Sequence, residues 1–571
     1  MCRRELITVV PILELFARLI RSRQAIALAL AMAGLRPTTY FAQGAALVPL
    51  TDPSYAMIDE LQSLLPIPGV AIGQRPYSRR EVGRMTFAYA TRLSVAPNGV
   101  ASEALRARAR TLVASLEDEY SVEIRALRPD SVREPVPLRT NATLRVDASA
   151  TNGRPRPVPS SNGLGSIAAM TFPLVDGSEG RAIAHGTTGA IEPHIQIGAS
   201  DWFAVGIDAR GAWGSSITSA SDVAGAFQAL YARGVVSNVA LDVGLEEREW
   251  GQGGANGMLL SANARPLPAV SISSDTAFSF PWIFHHLGRA RLSAMIADLG
   301  NGQNFPGAKL VAYKLSIMPT PRLELGAALL DEMGGRGAPP LSLGERIKDL
   351  FPYIVLAASP GGDREASNKI AGLDMRYRFP GVHAIAIYYE IDPDDFDLRR
   401  LWSIYWQDSA HLLGATIGRI DAQGRMSLDL QVQRTSLRIY EHSQFTSGVT
   451  YRDAIIGDPL GPNALGAYAT MLARVTPRYS LALSAAVEAR DASRYTVHQN
   501  DAHGNGWRFI RVSNGPRESR VRVLADVRSL AVDDRWSILP KVGVERVVND
   551  DFLIGRRSTY GIASVSILFR P

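Results

Sequence analysis

Cysteine is nearly absent: Cys2 is the one such residue among 571. No disulfide framework and no thiolate-based metal site can be built from it. Long apolar runs are missing too. Past residue 45 no stretch approaches ~18 uninterrupted apolar residues, which excludes helical membrane spans. A closed barrel is then the remaining way across a membrane, because every backbone N–H and C=O pairs between strands. Nor is there an excess of one charge where it would count. The formal net charge is +6, but Arg3, Arg4, Arg18, Arg21, Arg23 and Arg36 against Glu5 and Glu14 place +4 of it in residues 1–44. The remainder of the chain is nearly neutral, and this removes the electrostatic case for a nucleic-acid partner.

What the chain does contain is 46% apolar and 20% charged residues, a normal composition for a folded protein. Its 50 glycines suit many tight turns. The length exceeds one ordinary domain of ~100–200 residues, whereas a large barrel absorbs several hundred in a single unit.

Residues 1–44 read as a signal peptide with an N-terminal extension. Arg18, Arg21 and Arg23 precede the apolar run Ala25 to Leu35, and the small residues Ala42, Gly44 and Ala45 offer a cleavage site. The run is too short for a spanning anchor. Residues 45–135 read as a small helical domain. Asp52-Pro53 caps a run with Met57, Ile58, Leu61, Leu64 and Leu65 at helical spacing, and Pro66 ends it. Ser78 and Glu81 have capping-box spacing, and Ser102 precedes a helix with Leu105, Leu112, Val113, Leu116 and Tyr120 on one side.

From residue 136 to 571 the period changes to two. Ala371, Leu373, Met375, Tyr377 and Phe379 alternate with Gly372, Asp374, Arg376 and Arg378. Val239, Leu241, Val243 and Leu245 alternate with Asp242 and Glu246; Met426 to Gln433 and Ser480 to Arg490 repeat the pattern. The segments have the ~9–11-residue length of a tilted spanning strand, and their polar faces carry charges suited to a wet lumen. Aromatics near segment ends (Trp202, Phe203, Tyr388, Tyr389, Tyr440 and Tyr451) read as interfacial girdles. Tyr560 to Phe569 is an amphipathic, aromatic-ended strand that resembles a barrel-insertion signal, with Arg570 and Pro571 following Phe569 as a departure from that pattern, and it places barrel-insertion machinery and outer-membrane lipid among the expected partners. The expected fold is mainly β: a large antiparallel transmembrane β-barrel preceded by a small α-helical domain, located in the outer membrane. Residues 136–571 hold about 16–18 strands.

Three blocks carry a family resemblance. The first is Trp250-Gly251-Gln252-Gly253 with Leu259-Leu260-Ser261-Ala262-Asn263-Ala264-Arg265-Pro266. The second is Met375 to Asp392. The third is Tyr440-Glu441-His442, Ser447 to Arg452 and Ile456 to Gly461, with Asp458 where the family's pattern has His. From about residue 50 onward the chain resembles the Wzi-type capsule-assembly proteins of the outer membrane. The resemblance implies an 18-stranded barrel, a periplasmic helical bundle, and a role in attaching or organising surface polysaccharide.

Catalytic chemistry finds no clear carrier. There is no G-x-S-x-G elbow. His442-Ser443 would face opposite sides of a strand, and His285-His286 would diverge with no third metal ligand at a recognised spacing. The glycines at 251, 253, 254 and 257 lack the Gly-Lys-Ser/Thr of a phosphate loop and read as a turn. No catalytic residue, metal or cofactor is assigned. Carbohydrate recognition needs aromatic faces and planar polar groups. Arg248, Trp250, Asn263 and Arg265 supply these in one segment, Tyr451 and Arg452 in another. The same residues also suit structure: Trp250 as a girdle or plug, Arg265 paired with Glu246, Glu247 or Asp242. Three functions stay open: a non-enzymatic polysaccharide anchor, a porin or solute channel, and an outer-membrane hydrolase.

Overall fold

The computed structural model describes residues 45–570 apart from 96–102, 128–139, 160–166, 173, 176, 178, 182–184, 201, 215–222, 255–256, 341, 343, 345–366, 380–382, 395–404, 406–408, 438, 443, 477–478, 493, 499–507, 513–514 and 531–534. The expected signal peptide, 1–44, lies outside the described residues.

Helices come first: α1 Ser54–Leu64, α2 Arg79–Val95, α3 Glu103–Glu119 and α4 Ser121–Ala126. Asp52 Oδ1 accepts from the Ser54 amide at 2.8 Å, and α1 stops immediately before Leu65-Pro66. The Ser78 hydroxyl accepts from the Glu81 amide at 3.2 Å, but the return arm of a capping box does not form. The Glu81 carboxylate is taken instead by Arg84, 2.6 Å away. Ile58, Leu61, Val82, Met85, Tyr89, Leu105, Leu112 and Leu116 close one apolar core between these helices.

Eighteen strands then form a closed antiparallel barrel. They are β1 Thr140–Thr151, β2 Gly186–Ser200, β3 Phe203–Gly214, β4 Val223–Val236, β5 Val239–Glu246, β6 Leu267–Ser274, β7 Arg289–Asp298, β8 Lys309–Thr320, β9 Leu323–Met333, β10 Ser367–Phe379, β11 Ile385–Pro393, β12 Ser409–Ile417, β13 Met426–Arg434, β14 Ala464–Thr476, β15 Tyr479–Arg490, β16 Glu518–Leu530, β17 Trp536–Val548 and β18 Arg557–Phe569. Each pairs with its neighbour in sequence. Closure comes from β1 against β18, Leu144 opposite Phe569 through Thr151 opposite Ile562, so no edge is left unpaired. One end carries mostly short turns and both ends of the strand path. The other carries long connections, 152–185, 247–266, 334–366, 435–463 and 491–517 among them.

Alternation sorts the two faces. Leu241, Leu373, Met375, Val432, Val487, Val521 and Val542 point outward and are 40–57% exposed, an apolar belt suited to lipid. Trp202 with Phe203 and Trp536 with Phe569 stack at the short-turn end, where a girdle belongs. Three of the anticipated girdle residues lie elsewhere. Tyr388 faces inward and donates to Asp429 at 2.9 Å, while its neighbour Tyr389 points outward to His411. Tyr440 and Tyr451 are buried inside the barrel on the long connection 435–463.

The lumen also departs from a uniformly charged interior. Across β6 to β12, inward positions are Ala269, Met295, Ala297, Leu310, Ala312, Ala328, Leu330, Ile370 and Leu412. Small side chains on the wall leave space that other segments fill. Trp250, Met258, Leu259, Ile439, Tyr440, Val449, Ile455 and Ile456, from connections 247–266 and 435–463, complete one apolar core with them. An inward-folded loop core excludes water there, as tightly packed apolar surface does elsewhere.

Candidate functional site

The site is the meeting of four segments in the lumen: the stretch before α2 and the connections 152–185, 247–266 and 435–463. The stretch before α2 enters from the short-turn end. Gln74–Arg75 pairs antiparallel with Glu249–Trp250, and the Arg291 guanidinium donates to the Gln74 carbonyl at 2.8 Å. The Glu324 carboxylate, on β9, accepts from the amides of Ile72 at 3.0 Å and Gly73 at 2.8 Å. The helices are also tied to the wall by Arg80 with Asp275 at 3.0 Å and Glu60 with Arg474 at 3.0 Å.

The anticipated recognition residues divide sharply by burial. Trp250 is 1% exposed and has no face open to solvent; its amide donates to the Leu260 carbonyl at 2.9 Å. Arg248 is paired with Glu246 at 2.8 Å and donates to the Ser271 hydroxyl at 2.9 Å. Asn263 is buried and joins two connections: its side-chain N–H donates to the Ile455 carbonyl at 2.9 Å and its Oδ1 accepts from Gly177 at 3.3 Å. Arg265 donates to the Gly180 carbonyl at 3.3 Å. Among the suggested acids, Glu246 pairs with Arg248 and Asp242 with Arg233 at 2.6 Å. Tyr451 is buried, and Arg452 stands exposed at the tip of the hairpin Thr450–Tyr451 with Ala454–Ile455, its guanidinium 5.6 Å from the Tyr451 ring centre. The two sequence blocks therefore come together, with Arg452 as the member presented to solvent.

A cavity of about 20 Å³ lies beside them, lined by Leu50, Glu179, Glu247, Arg248, Arg265 and Ile456. That is room for about one water and not for a sugar ring. Glu247 and Glu179 face each other there. Burial, then the neighbouring Glu179 carboxylate, pushes the Glu247 carboxyl well above its ordinary value. Burial would also raise Glu179, but Arg181 beside it holds it below. Glu247 also accepts from the Leu50 amide at 3.1 Å, so the pair latches the N-terminal stretch to connection 152–185.

Several key residues carried no assignment from the sequence. Gln252, inside the Trp250–Gly253 block, is a hub. Its side-chain Nε2 donates to Asp374 at 2.7 Å and Glu324 at 3.3 Å, and its side-chain Oε1 accepts from Arg376 at 2.7 Å. The Glu390 carboxylate accepts from the Gln252 and Gly253 amides. Gly251 has φ +118°, and a Cβ there would sit 2.7 Å from Glu390 Oε2, so this position requires glycine. Connection 152–185 contributes Arg156, which pairs with Glu545 at 3.0 Å, Glu518 at 3.5 Å and Asp550. It also contributes Arg181, which pairs with Glu192 at 2.7 Å and with Glu179. The acids that hold Arg156 lie hundreds of residues away, which is why local spacing does not mark them.

The titratable motifs have structural roles. His442 sits in a turn and not on a strand, and its Nδ1 accepts from the Gln444 and Phe445 amides at 3.2 and 3.3 Å. Ser443 lies outside the described residues. His285 and His286 stack at 3.8 Å between ring centres on an exposed turn instead of diverging. No cluster of three or more metal-ligating side chains occurs among the described residues. Asp458 caps the Leu460 amide at 2.8 Å and accepts from Gln433.

Residues 160–556 match the family model described as capsule assembly protein Wzi. The fold is similar to a solved structure of Wzi from Escherichia coli, described as an outer-membrane protein involved in group 1 capsule assembly and a carbohydrate-binding β-barrel. The TM-score is 0.60 at 15% identity, over 92% of this chain and 99% of that one. At that identity the likeness concerns the fold. A Klebsiella pneumoniae protein described as an uncharacterized 55.8 kDa protein in the cps region is 23% identical over 181 residues, 31% of this chain. The alignment spans about a third of that relative's length, 34%.

Proposed function

This chain belongs to the Wzi capsule-assembly family, and from that membership we propose that it is a non-enzymatic outer-membrane protein that binds and anchors surface polysaccharide during capsule assembly. The long-loop end faces outward in this reading. The helices α1 to α4 form a domain over residues 45–135 on the periplasmic side, and 136–571 is the membrane barrel. The observation that carries the proposal is the filled lumen. Connections 247–266 and 435–463 share an apolar core with the wall, and Arg156 and Arg181 lock 152–185 against the opposite side. A barrel filled in this way suits display of a fixed binding surface better than diffusion of solutes.

Arg452, exposed beside Tyr451, is the proposed first contact for an acidic or hydroxyl-rich polymer, since a planar guanidinium pairs bidentately with carboxylates. Arg248, Trp250, Asn263 and Arg265 act behind it by holding the hairpin in place. A strain lacking the protein should shed polysaccharide into the medium with total synthesis unchanged. If the cell-bound and shed fractions both match wild type, the anchoring role is wrong. The porin reading is tested separately: the purified protein in planar bilayers should show no steady conductance, and stable open channels would favour a pore.

A further inference from the structure

Two arginines stand on the lipid-facing side of the barrel at its long-loop margin. Arg546 on β17 and Arg557 on β18 belong to the outward register of their strands, and both are exposed. Arg546 lies between Val521 of β16 and Thr559 of β18; Arg557 lies opposite Val548. At ~3.3 Å per residue along a strand and ~4.8 Å between strands, their backbones are about 8 Å apart, within reach of one shared group. Among the described residues neither makes an ion pair or hydrogen bond through its side chain. The acids on the adjoining loop are engaged by other cations, Asp551 by Arg556 at 3.0 Å and Asp550 by Arg156, and Arg517, just before β16, is held toward Asp491 at 3.8 Å.

The surroundings define what such a pair can hold. On the same face Val521 lies level with Arg546, and Val523, Val542 and Val544 lie immediately toward the short-turn end, all 42–57% exposed. Both arginines lie within two residues of the strand ends at the long-loop rim. The cations therefore sit at the upper margin of the apolar belt, at headgroup level and not in the hydrocarbon, where an arginine is tolerated. A ligand that fills this surface has acyl chains against the valines and a phosphate at the arginines. Two guanidinium forks suit phosphate oxygens, which accept parallel N–H bonds.

We propose that the outward face of β16 to β18 beside the long-loop rim is a docking site for a phosphorylated glycolipid of the surrounding leaflet, its phosphate held by Arg546 and Arg557. This site is on the outside of the barrel and apart from the lumen, and it rests on the outward orientation of the long-loop end proposed above. Bound lipid fixes the barrel's rotational neighbourhood in the leaflet and seats its binding end at the level of the lipid sugars.

The test uses the full chain in phosphatidylcholine nanodiscs containing diphosphoryl lipid A, with retained lipid counted by native mass spectrometry and the thermal midpoint recorded. Arg546→Gln with Arg557→Gln should lower retention at least about tenfold and abolish the lipid-A-dependent rise in midpoint. Arg528→Gln, exposed at the opposite end of β16, should behave as wild type. Dephosphorylated lipid A should bind the wild type no better than the double variant. Equal retention by the double variant, or retention indifferent to the phosphates, overturns the proposal. So does loss of binding to purified polysaccharide with lipid A retention intact, which would assign the face to the polymer. Gel mobility without heating reports folding, and each single variant serves if the double variant misfolds.

Discussion

Trp250→Ala separates a ligand-stacking tryptophan from one that holds the plug together. The side chain is 1% exposed and packs among Met258, Leu259 and Leu260 and the small wall residues. Burying a tryptophan removes about 150–250 Å² from water, which at ~25 cal/mol per Å² is about 4–6 kcal/mol. Measured Phe or Trp truncations in cores cost ~3–5 kcal/mol, a consistent magnitude. The eighteen-strand hydrogen-bond ladder does not depend on this residue, so the loss should fall on the loops and leave the barrel standing. A change of ~3 kcal/mol or more raises the opening equilibrium of the plug by about a hundredfold or more. Hydrogen-exchange mass spectrometry should show lost protection in peptides covering 249–264 and 439–456, with barrel strands unchanged. Bilayer recordings should show transient conductance absent from wild type. If protection over 249–264 matches wild type while polysaccharide binding falls, Trp250 acts on the ligand directly and the plug account is wrong.

Gly251→Ala should destabilise the same turn by ~1–3 kcal/mol, from the left-handed backbone and the clash with Glu390, read as a lower midpoint of heat-modified gel mobility. Arg156→Ala leaves Glu545, Glu518 and Asp550 without their shared cation and should cost ~3–5 kcal/mol; unfolding in urea that matches wild type would show that the three acids are solvated. Glu247 has a folded-state pKa raised above its ordinary 4.5, so the folded protein binds the extra proton. Its contribution is whole below 4.5 and is lost as pH rises through the raised value, which loosens the N-terminal stretch at higher pH. Glu247→Gln keeps a neutral donor and should flatten that dependence; an unchanged slope of thermal midpoint against pH would assign it to other groups.

Much of the wall was legible because a strand alternates its side chains regardless of context. Asp374, Arg376 and Arg378 lie inward and Leu373, Met375 and Phe379 outward, as their spacing requires. Tyr388 escapes such a reading because an aromatic near a strand end has the same composition on either face; only register separates it from Tyr389. Tyr440 and Tyr451 lie on a connection with no period to read. The block around Trp250 was visible as a motif, yet the role of Gln252 was not. Its partners Glu324, Asp374 and Arg376 sit on two other strands and meet it only when the loop folds inward.

Local pattern was enough for a large barrel with an apolar exterior, a helical segment ahead of it, and an architecture without disulfides. Each of these depends on periodicity and composition, which need no knowledge of distant contacts. The filled lumen, the walled-in Trp250 and the solvent-facing Arg452 emerge only once the chain is folded. Those outcomes depend on alanines of β6 to β9 leaving room for side chains of connections 247–266 and 435–463. Packing complementarity between segments so far apart is a property of their arrangement in space, which no local pattern encodes.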